Sequence, residues 1–151
     1  MKIVLAADHR GFKLKEDLEI FLKALGHEVE DVGTHDLAPE DDYMDFGYPG
    51  ARMVAAAPGS KGIFICGSGM GMDIVANKVK GIRATVAYSK ESAVHGASHD
   101  DVNVITLAAD VLGDDEARDI VLAFLATPLM REERYVRRLR KITTIEDQNL
   151  K

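Results

Sequence analysis

The chain's single cysteine, Cys66, stands where an apolar run meets a glycine-rich turn, in the stretch FICGSGMGMDIVANK, residues 64–78. Backbone N–H groups at a helix N-terminus stabilise a thiolate. A thiolate near neutral pH serves as a nucleophile or a general base. The turn itself, Gly67-Ser68-Gly69-Met70-Gly71, has the composition of a nest whose N–H groups converge on an anion or an oxyanion. Blander readings stand beside these. Most free cysteines are small buried apolar residues, and tight strand-to-helix turns use glycine for its backbone freedom alone. Some chemistries drop out. The turn lacks the Lys-Ser/Thr of a P-loop and the G-x-G-x-x-G spacing of a dinucleotide site. Met72 stands six residues after Cys66, where the Cys-x5-Arg loop of a cysteine phosphatase needs arginine.

Other titratable groups stand at comparable places. Asp8 and His9 follow the first apolar run, and His99 precedes the last one. Asp8 and His9 suit either a helix cap or a polar site, and His99 suits either a surface loop or acid–base work. Two histidines near one thiol favour the second reading in each case. In the basic run REERYVRRLRK, residues 131–141, Arg134 and Arg138 are spaced i, i+4 and share a helix face. A phosphate is the natural ligand of such a pair, and a solvated face paired with Glu132 and Glu133 is the alternative.

The elements that must position these groups are legible as alternating apolar runs and amphipathic segments. Strands are expected at Lys2 to Ala7, His27 to Val32, Gly62 to Cys66, Ile82 to Ala87 and Asn103 to Leu107. Helices are expected from Phe12 to Leu25 with Gly26 ending it, from Pro49 to Ala57, and from Gly69 to Lys78. A short one begins at Ser89 and Lys90-Glu91. Another is capped by Asp114-Asp115, with Ala117, Ile120, Val121, Phe124 and Leu125 on one face. A last one spans about Met130 to Ile142. Gly33 to Asp45 reads as a polar loop. Continuous apolar strands are covered on both faces. The expected fold is α/β: a three-layer, doubly wound, five-stranded parallel sheet, Rossmann-like, with an extra C-terminal helix. Ligands of such folds bind at the carboxyl ends of strands, which is where Asp8, His9 and Cys66 stand.

The chain has 151 residues, 46% apolar and 29% charged, which suits one soluble domain spanning 1–151. No apolar run is long enough to cross a bilayer, and the first residues lack the pattern of a signal peptide. One cysteine forms no intrachain disulfide and no zinc framework. The expectation is therefore a cytoplasmic protein without a membrane partner. The net charge of −6 argues against a nucleic-acid partner. It is unevenly spread, acidic over 36–45 and basic over 131–141.

With these residues assembled, the chain resembles the B-type ribose-5-phosphate isomerase family, which includes the galactose-6-phosphate isomerase subunits. The resemblance rests on AADHRGFKLK, DVGT, DYMDFG, ICGSGMGMDIVANKVKGIRA, HDDVN and ERYVRRLRKI, in family order across nearly the whole chain. It implies a single sugar-phosphate isomerase domain that opens a sugar ring and moves a proton between C1 and C2 through a cis-enediolate, with no metal and no cofactor. Carried over by position, Cys66 is the base and Ser68 assists proton traffic. Gly67, Gly69 and Gly71 belong to the loop that stabilises the enediolate oxygen. His99 assists ring opening, and Asp8 helps hold the substrate. His9, Arg134 and Arg138 bind the phosphate, and Tyr43 lines the site. Some family members use a glutamate at the position of Met72 in place of the cysteine. A homodimer or a dimer of dimers, with sites completed by two chains, is also implied.

Two positions depart from the family pattern. The segment His-Asn-Asp-x-Asn becomes His99-Asp100-Asp101-Val102-Asn103, and an ionised Asp100 repels an enediolate where asparagine donates to it. Asp110 stands where the family usually has a phosphate-contacting arginine, and an anion there weakens phosphate binding. Either the changes compensate, with Asp100 on a sugar hydroxyl and Asp110 paired to a C-terminal-helix arginine, or the substrate differs, for instance an unphosphorylated sugar. A non-catalytic module for an anionic metabolite and a thiol-redox protein are the competing classes. The second lacks a resolving cysteine.

Overall fold

A computed structural model describes residues 1–37 and 40–150. The strands are β1 (Lys2–Ala7), β2 (Glu28–Asp31), β3 (Lys61–Cys66), β4 (Ala84–Val86) and β5 (Val104–Ala108). The helices are α1 (Phe12–Ala24), α2 (Tyr43–Ala56), α3 (Met70–Ala76), α4 (Lys90–Asp100), α5 (Asp114–Ala126) and α6 (Glu133–Asn149). The strands form one sheet in the order β2-β1-β3-β5-β4, and every pairing is parallel.

Alternation along the strands divides the core into two layers. Ile3, Leu5, Ile63, Ile65, Ile105 and Leu107 pack with residues of α1, α4 and α5, including Leu18, Ala97, Ile120 and Phe124. Val4, Ala6, Phe64, Cys66 and Val104 face the other way, onto Ala51 and Val54 of α2 and Met72 and Ala76 of α3. The expected three-layer, doubly wound architecture is thus the observed one, with α6 as the extra helix, lying along α4. The strand order reverses direction between β1 and β3, which makes their carboxyl ends the crevice of the sheet.

Several element boundaries differ from expectation. α2 starts at Tyr43, so Pro49 sits inside the helix rather than opening it. Tyr43 and Phe46 pack against the core, and that burial outweighs the hydrogen bond that proline cannot donate. The expected loop over 33–45 therefore ends before Tyr43, and its residues 38 and 39 lie outside the described residues. Asp114 and Asp115 occupy the first turn of α5 behind an N-cap at Gly113, with no side-chain cap bond; they act on the helix dipole instead. β4 is shorter than its apolar run. α6 continues past Ile142 to Asn149, with the Thr143 and Thr144 hydroxyls donating to the carbonyls of Leu139 and Arg140. Ser89, by contrast, opens α4 as read, in a capping box with Ser92.

The approach of the turn between β1 and α1 to β3 depends on Gly11. A Cβ built there falls 2.5 Å from the Ile65 carbonyl oxygen and 2.8 Å from its carbon. Both are backbone atoms of a central strand and cannot move aside. Gly11→Ala is expected to destabilise the protein by about 3 kcal/mol, read as a lower denaturant midpoint at unchanged slope.

Candidate active site

The end of β1 supplies Asp8, which is buried. Its Oδ1 accepts hydrogen bonds from the Arg10 and Gly11 backbone N–H groups, each at 3.0 Å. The carboxylate thus closes the turn before α1, while Gly11 is the N-cap residue. Burial pushes the Asp8 carboxyl above its ordinary value of 3.8; the two backbone bonds and His9 oppose the rise and Asp41 adds to it. A raised pKa means that the folded state holds the proton more tightly than the unfolded one. Stability is therefore lost as pH rises from the ordinary carboxylate value through the raised one. Asp8→Asn keeps the acceptor oxygen and removes the buried charge. It is expected to raise the melting temperature at neutral pH, with the gain vanishing at acid pH, while lowering activity; a pH series of melts checks this.

The end of β3 supplies Cys66 and the glycine turn. Cys66 is 4% exposed, with its side chain in the layer of Met72 and Phe64. The turn that follows is tied to the end of β5 by bonds from Ala109 N–H to Cys66 O and from Asp110 N–H to Gly67 O, each 3.0 Å. Gly69 is the N-cap of α3 at φ +75°, a conformation that favours glycine. Met70 N–H donates to the Ser68 hydroxyl at 3.3 Å. Gly71 is held against Tyr43, whose ring atoms lie 2.8–2.9 Å from where a Cβ would stand. Gly47 does the same for Met72. These two glycines let α2 approach α3 and bring the Tyr43 ring to the turn.

Asp8, Tyr43, Cys66, Gly67, Ser68 and Gly71 line one pocket of about 290 Å³, joined there by Arg10 and Asp110. Residues from four separate segments of the chain thus converge on the thiol. Gly69 shapes the turn beneath it. His9 sits beside Asp8, with its Nδ1 2.5 Å from Asp41 Oδ1 and its backbone N–H donating to the same oxygen at 3.2 Å. The second Asp41 oxygen is buried and has no partner among the described residues. Neither Asp41 nor Arg10 was singled out from sequence. Asp41 is 32 residues from His9, and no local spacing signals such a pair.

The remaining expected site residues lie elsewhere in the protomer. His99 stacks on Tyr135 of α6, with centroids 4.5 Å apart and planes 8° from parallel. The Arg134 guanidinium covers that ring at 4.6 Å and bonds Glu132 at 2.9 Å. Arg138 is exposed on the same helix. Asp100 is exposed and lines a larger hollow of about 780 Å³ between β4, α4 and α6, with Tyr88, His95 and Ile142. None of these four lines the Cys66 pocket. Asp110 pairs with Arg10, through bonds of 2.6 Å from Nη2 and 3.1 Å from Nε, and not with an arginine of α6, the partner that one of the two alternatives supplied. Arg10 follows the same strand end as Asp8 and reaches the end of β5 across the glycine turn.

Among the described residues, the one group of acidic side chains with metal-like spacing is Glu16, Glu19 and Asp31. The ammonium of fully buried Lys15 already bonds Glu16 and Asp31. No helix among the described residues is long and apolar enough to cross a membrane.

The family model described as Ribose/Galactose Isomerase matches residues 3–142. A putative sugar phosphate isomerase of Bacillus subtilis, YwlF, is 35% identical over 99% of this chain and 100% of its own. The ribose-5-phosphate isomerase B of Mycobacterium tuberculosis is 38% identical over 92% of this chain and 86% of its own. Among solved structures, the Clostridium thermocellum ribose-5-phosphate isomerase B superposes with a TM-score of 0.93 at 41% identity, over 98% of this chain and 99% of that one. The Mycoplasma genitalium enzyme, solved with bound ribulose-5-phosphate, does so with a TM-score of 0.94 at 35% identity, over 98% and 97%. Matched in sequence along nearly its whole length and in fold from β1 to α6, the chain belongs to the ribose/galactose isomerase family and is an isomerase of the aldose–ketose class.

Proposed function

We propose that the protein interconverts ribose 5-phosphate and ribulose 5-phosphate, with Cys66 as the base. The observation that carries this reading is the convergence of the chain's one thiol, the glycine turn, Ser68 and Asp8 on a single pocket. With the open-chain aldose bound, the Cys66 thiolate takes the C2 proton. Charge then builds on the oxygen of the former carbonyl, and the N–H groups of the Gly67–Gly71 turn stabilise it. The thiol returns the proton to C1 as the hydroxyl proton of O2 leaves, with Ser68 carrying protons between the sugar oxygens. Asp8 holds a sugar hydroxyl, and Tyr43 forms the wall opposite. No metal and no cofactor takes part, and the enzyme works in the cytoplasm.

His99, Arg134 and Arg138 complete the site from a second copy of the chain, giving a homodimer or a dimer of dimers. Two features support this. In the protomer those residues lie together on α4 and α6, outside the Cys66 pocket. Beside them runs a groove carrying the exposed apolar groups Tyr88 and Ile142, surface suited to burial against another chain. His99 then assists ring opening, and His9 joins the two arginines at the phosphate. A second reading, the same chemistry on a different or unphosphorylated sugar, is favoured by the carboxylate of Asp110 at the pocket.

A panel of ribose 5-phosphate, allose 6-phosphate, erythrose 4-phosphate and the free sugars, run in heavy water, tests the reading. Ketose formation from ribose 5-phosphate with deuterium entering at the exchanging carbon is expected. Preference for a free sugar would transfer the proposal to the second reading, and binding without exchange would leave only a metabolite-binding module.

A further inference from the structure

The Arg10–Asp110 pair lines the Cys66 pocket, and neither the isomerase chemistry nor the family match assigns it a role. Arg10 is the one cationic side chain among the described residues lining that pocket, beside the carboxylates of Asp8 and Asp110. Its position is fixed at both ends. Its backbone N–H donates to Asp8 at 3.0 Å, its Nε to both Asp110 oxygens at 3.3 and 3.1 Å, and its Nη2 to Asp110 Oδ2 at 2.6 Å. That two-point grip is the bidentate geometry in which a guanidinium is held in one orientation. It leaves Nη1, with two donors, without a partner among the described residues. The pair also lies directly over the glycine turn: a Cβ on Gly67 would stand 2.6 Å from Asp110 Oδ2 and 2.7 Å from Arg10 Nε. About half of each side chain is exposed, so the pair is open to a ligand in the pocket it lines.

Resting on the reading of the site as an aldose–ketose isomerase, we propose that Arg10 is a substrate-contacting residue that selects for an anionic sugar, and that Asp110 sets the strength of that selection. Nη1 donates to the anionic end of the ligand. Asp110 holds the guanidinium and competes with the ligand for its charge. Removing Arg10 leaves Asp110 facing the incoming anion uncompensated. Removing the Asp110 charge while keeping a hydrogen-bonding side chain frees the guanidinium for the ligand. The two substitutions therefore act in opposite directions on a phosphorylated sugar, and neither acts on a neutral one. A purely structural clasp predicts that both weaken every ligand alike.

The test is calorimetric binding of ribose 5-phosphate and of free ribose, in a Cys66→Ala background so that turnover does not intervene. Arg10→Gln is expected to weaken ribose 5-phosphate binding by at least about tenfold and Asp110→Asn to tighten it several-fold, with free ribose binding unchanged in both. The discrimination shrinks as salt is raised, because the pair is half-exposed. Equal losses on both sugars, no loss on either, or weakening by Asp110→Asn comparable to that of Arg10→Gln would overturn the proposal. Turnover of the unsubstituted protein is measured alongside. Charge-selective binding without isomerisation would refute the isomerase reading alone, whereas isomerisation with unselective binding would refute only the role of Arg10.

Discussion

Cys66→Ala is expected to lower kcat about a thousandfold, the scale of losing a positioned general base, while KM changes little. The substrate's proposed holding contacts come from Asp8, His9 and the arginines, so binding survives the loss of the sulfur. Folding survives as well. Cys66 sits in an apolar layer with Met72 and Phe64, and trimming one sulfur from that layer costs on the order of 1 kcal/mol. The variant therefore melts cooperatively a few degrees lower and still binds ribose 5-phosphate. Deuterium incorporation separates chemistry from binding: the solvent label enters the sugar with the unsubstituted protein and is lost in the variant. A rate within tenfold of the unsubstituted protein would transfer the base to another group. Met72 is not a candidate, since it is fully buried and carries no titratable atom.

Mixing two inactive variants is expected to restore activity. In the proposed dimer each site takes Cys66 from one chain and His99 from the other. Cys66→Ala and His99→Asn chains are each inactive as homodimers. A heterodimer of the two has one site lacking both groups and one site that is intact. Random pairing makes half of the dimers mixed, so co-refolded or co-expressed variants should recover about a quarter of the unsubstituted activity. Sites built within single chains would recover none. The result depends on geometry that the protomer already contains. The His99 ring stacks on Tyr135, whose ring the Arg134 guanidinium also covers, so the three form one unit outside the Cys66 pocket.

The two acidic departures separate in the structure. Asp110 lines the pocket and pairs there with Arg10, so in the role proposed for that pair its effect falls on charge selection. Asp100 lies at the end of α4, with its carbonyl accepting from Arg83 Nε at 3.1 Å and its side chain exposed on the groove between α4, α6 and β4. In the dimeric reading that groove is where a second chain packs, and Asp100 then approaches the partner's pocket together with His99.

Much of this was written in local sequence. Lys2 to Ala7 and Gly62 to Cys66 are apolar runs of strand length, and burial on both faces is the only way to hide them, so the parallel sheet and its covering helices follow from pattern alone. The strand-to-turn junctions at Asp8 and Cys66 follow too, because a doubly wound sheet places strand ends at its crevice. The glycine-rich Gly67–Gly71 turn could be read as well, since a tight strand-to-helix turn favours glycine, as at Gly69 with φ +75°; the contact of Gly71 with Tyr43 could not. Other features are invisible to local reading because their partners are far apart in the chain. Asp41 meets His9 across 32 residues, and Asp110 meets Arg10 across 100. Which acid finds which base depends on strand order, since β3 lies between β1 and β5 and its glycine turn is low enough for Arg10 to reach over. Resemblance of the chain's motifs pointed to the family, and apolar patterning to the fold and to the place of the thiol at a strand end. Tertiary structure alone decided which charges face that thiol within one protomer, because ion pairs form between neighbours in space and carry no periodicity along the chain.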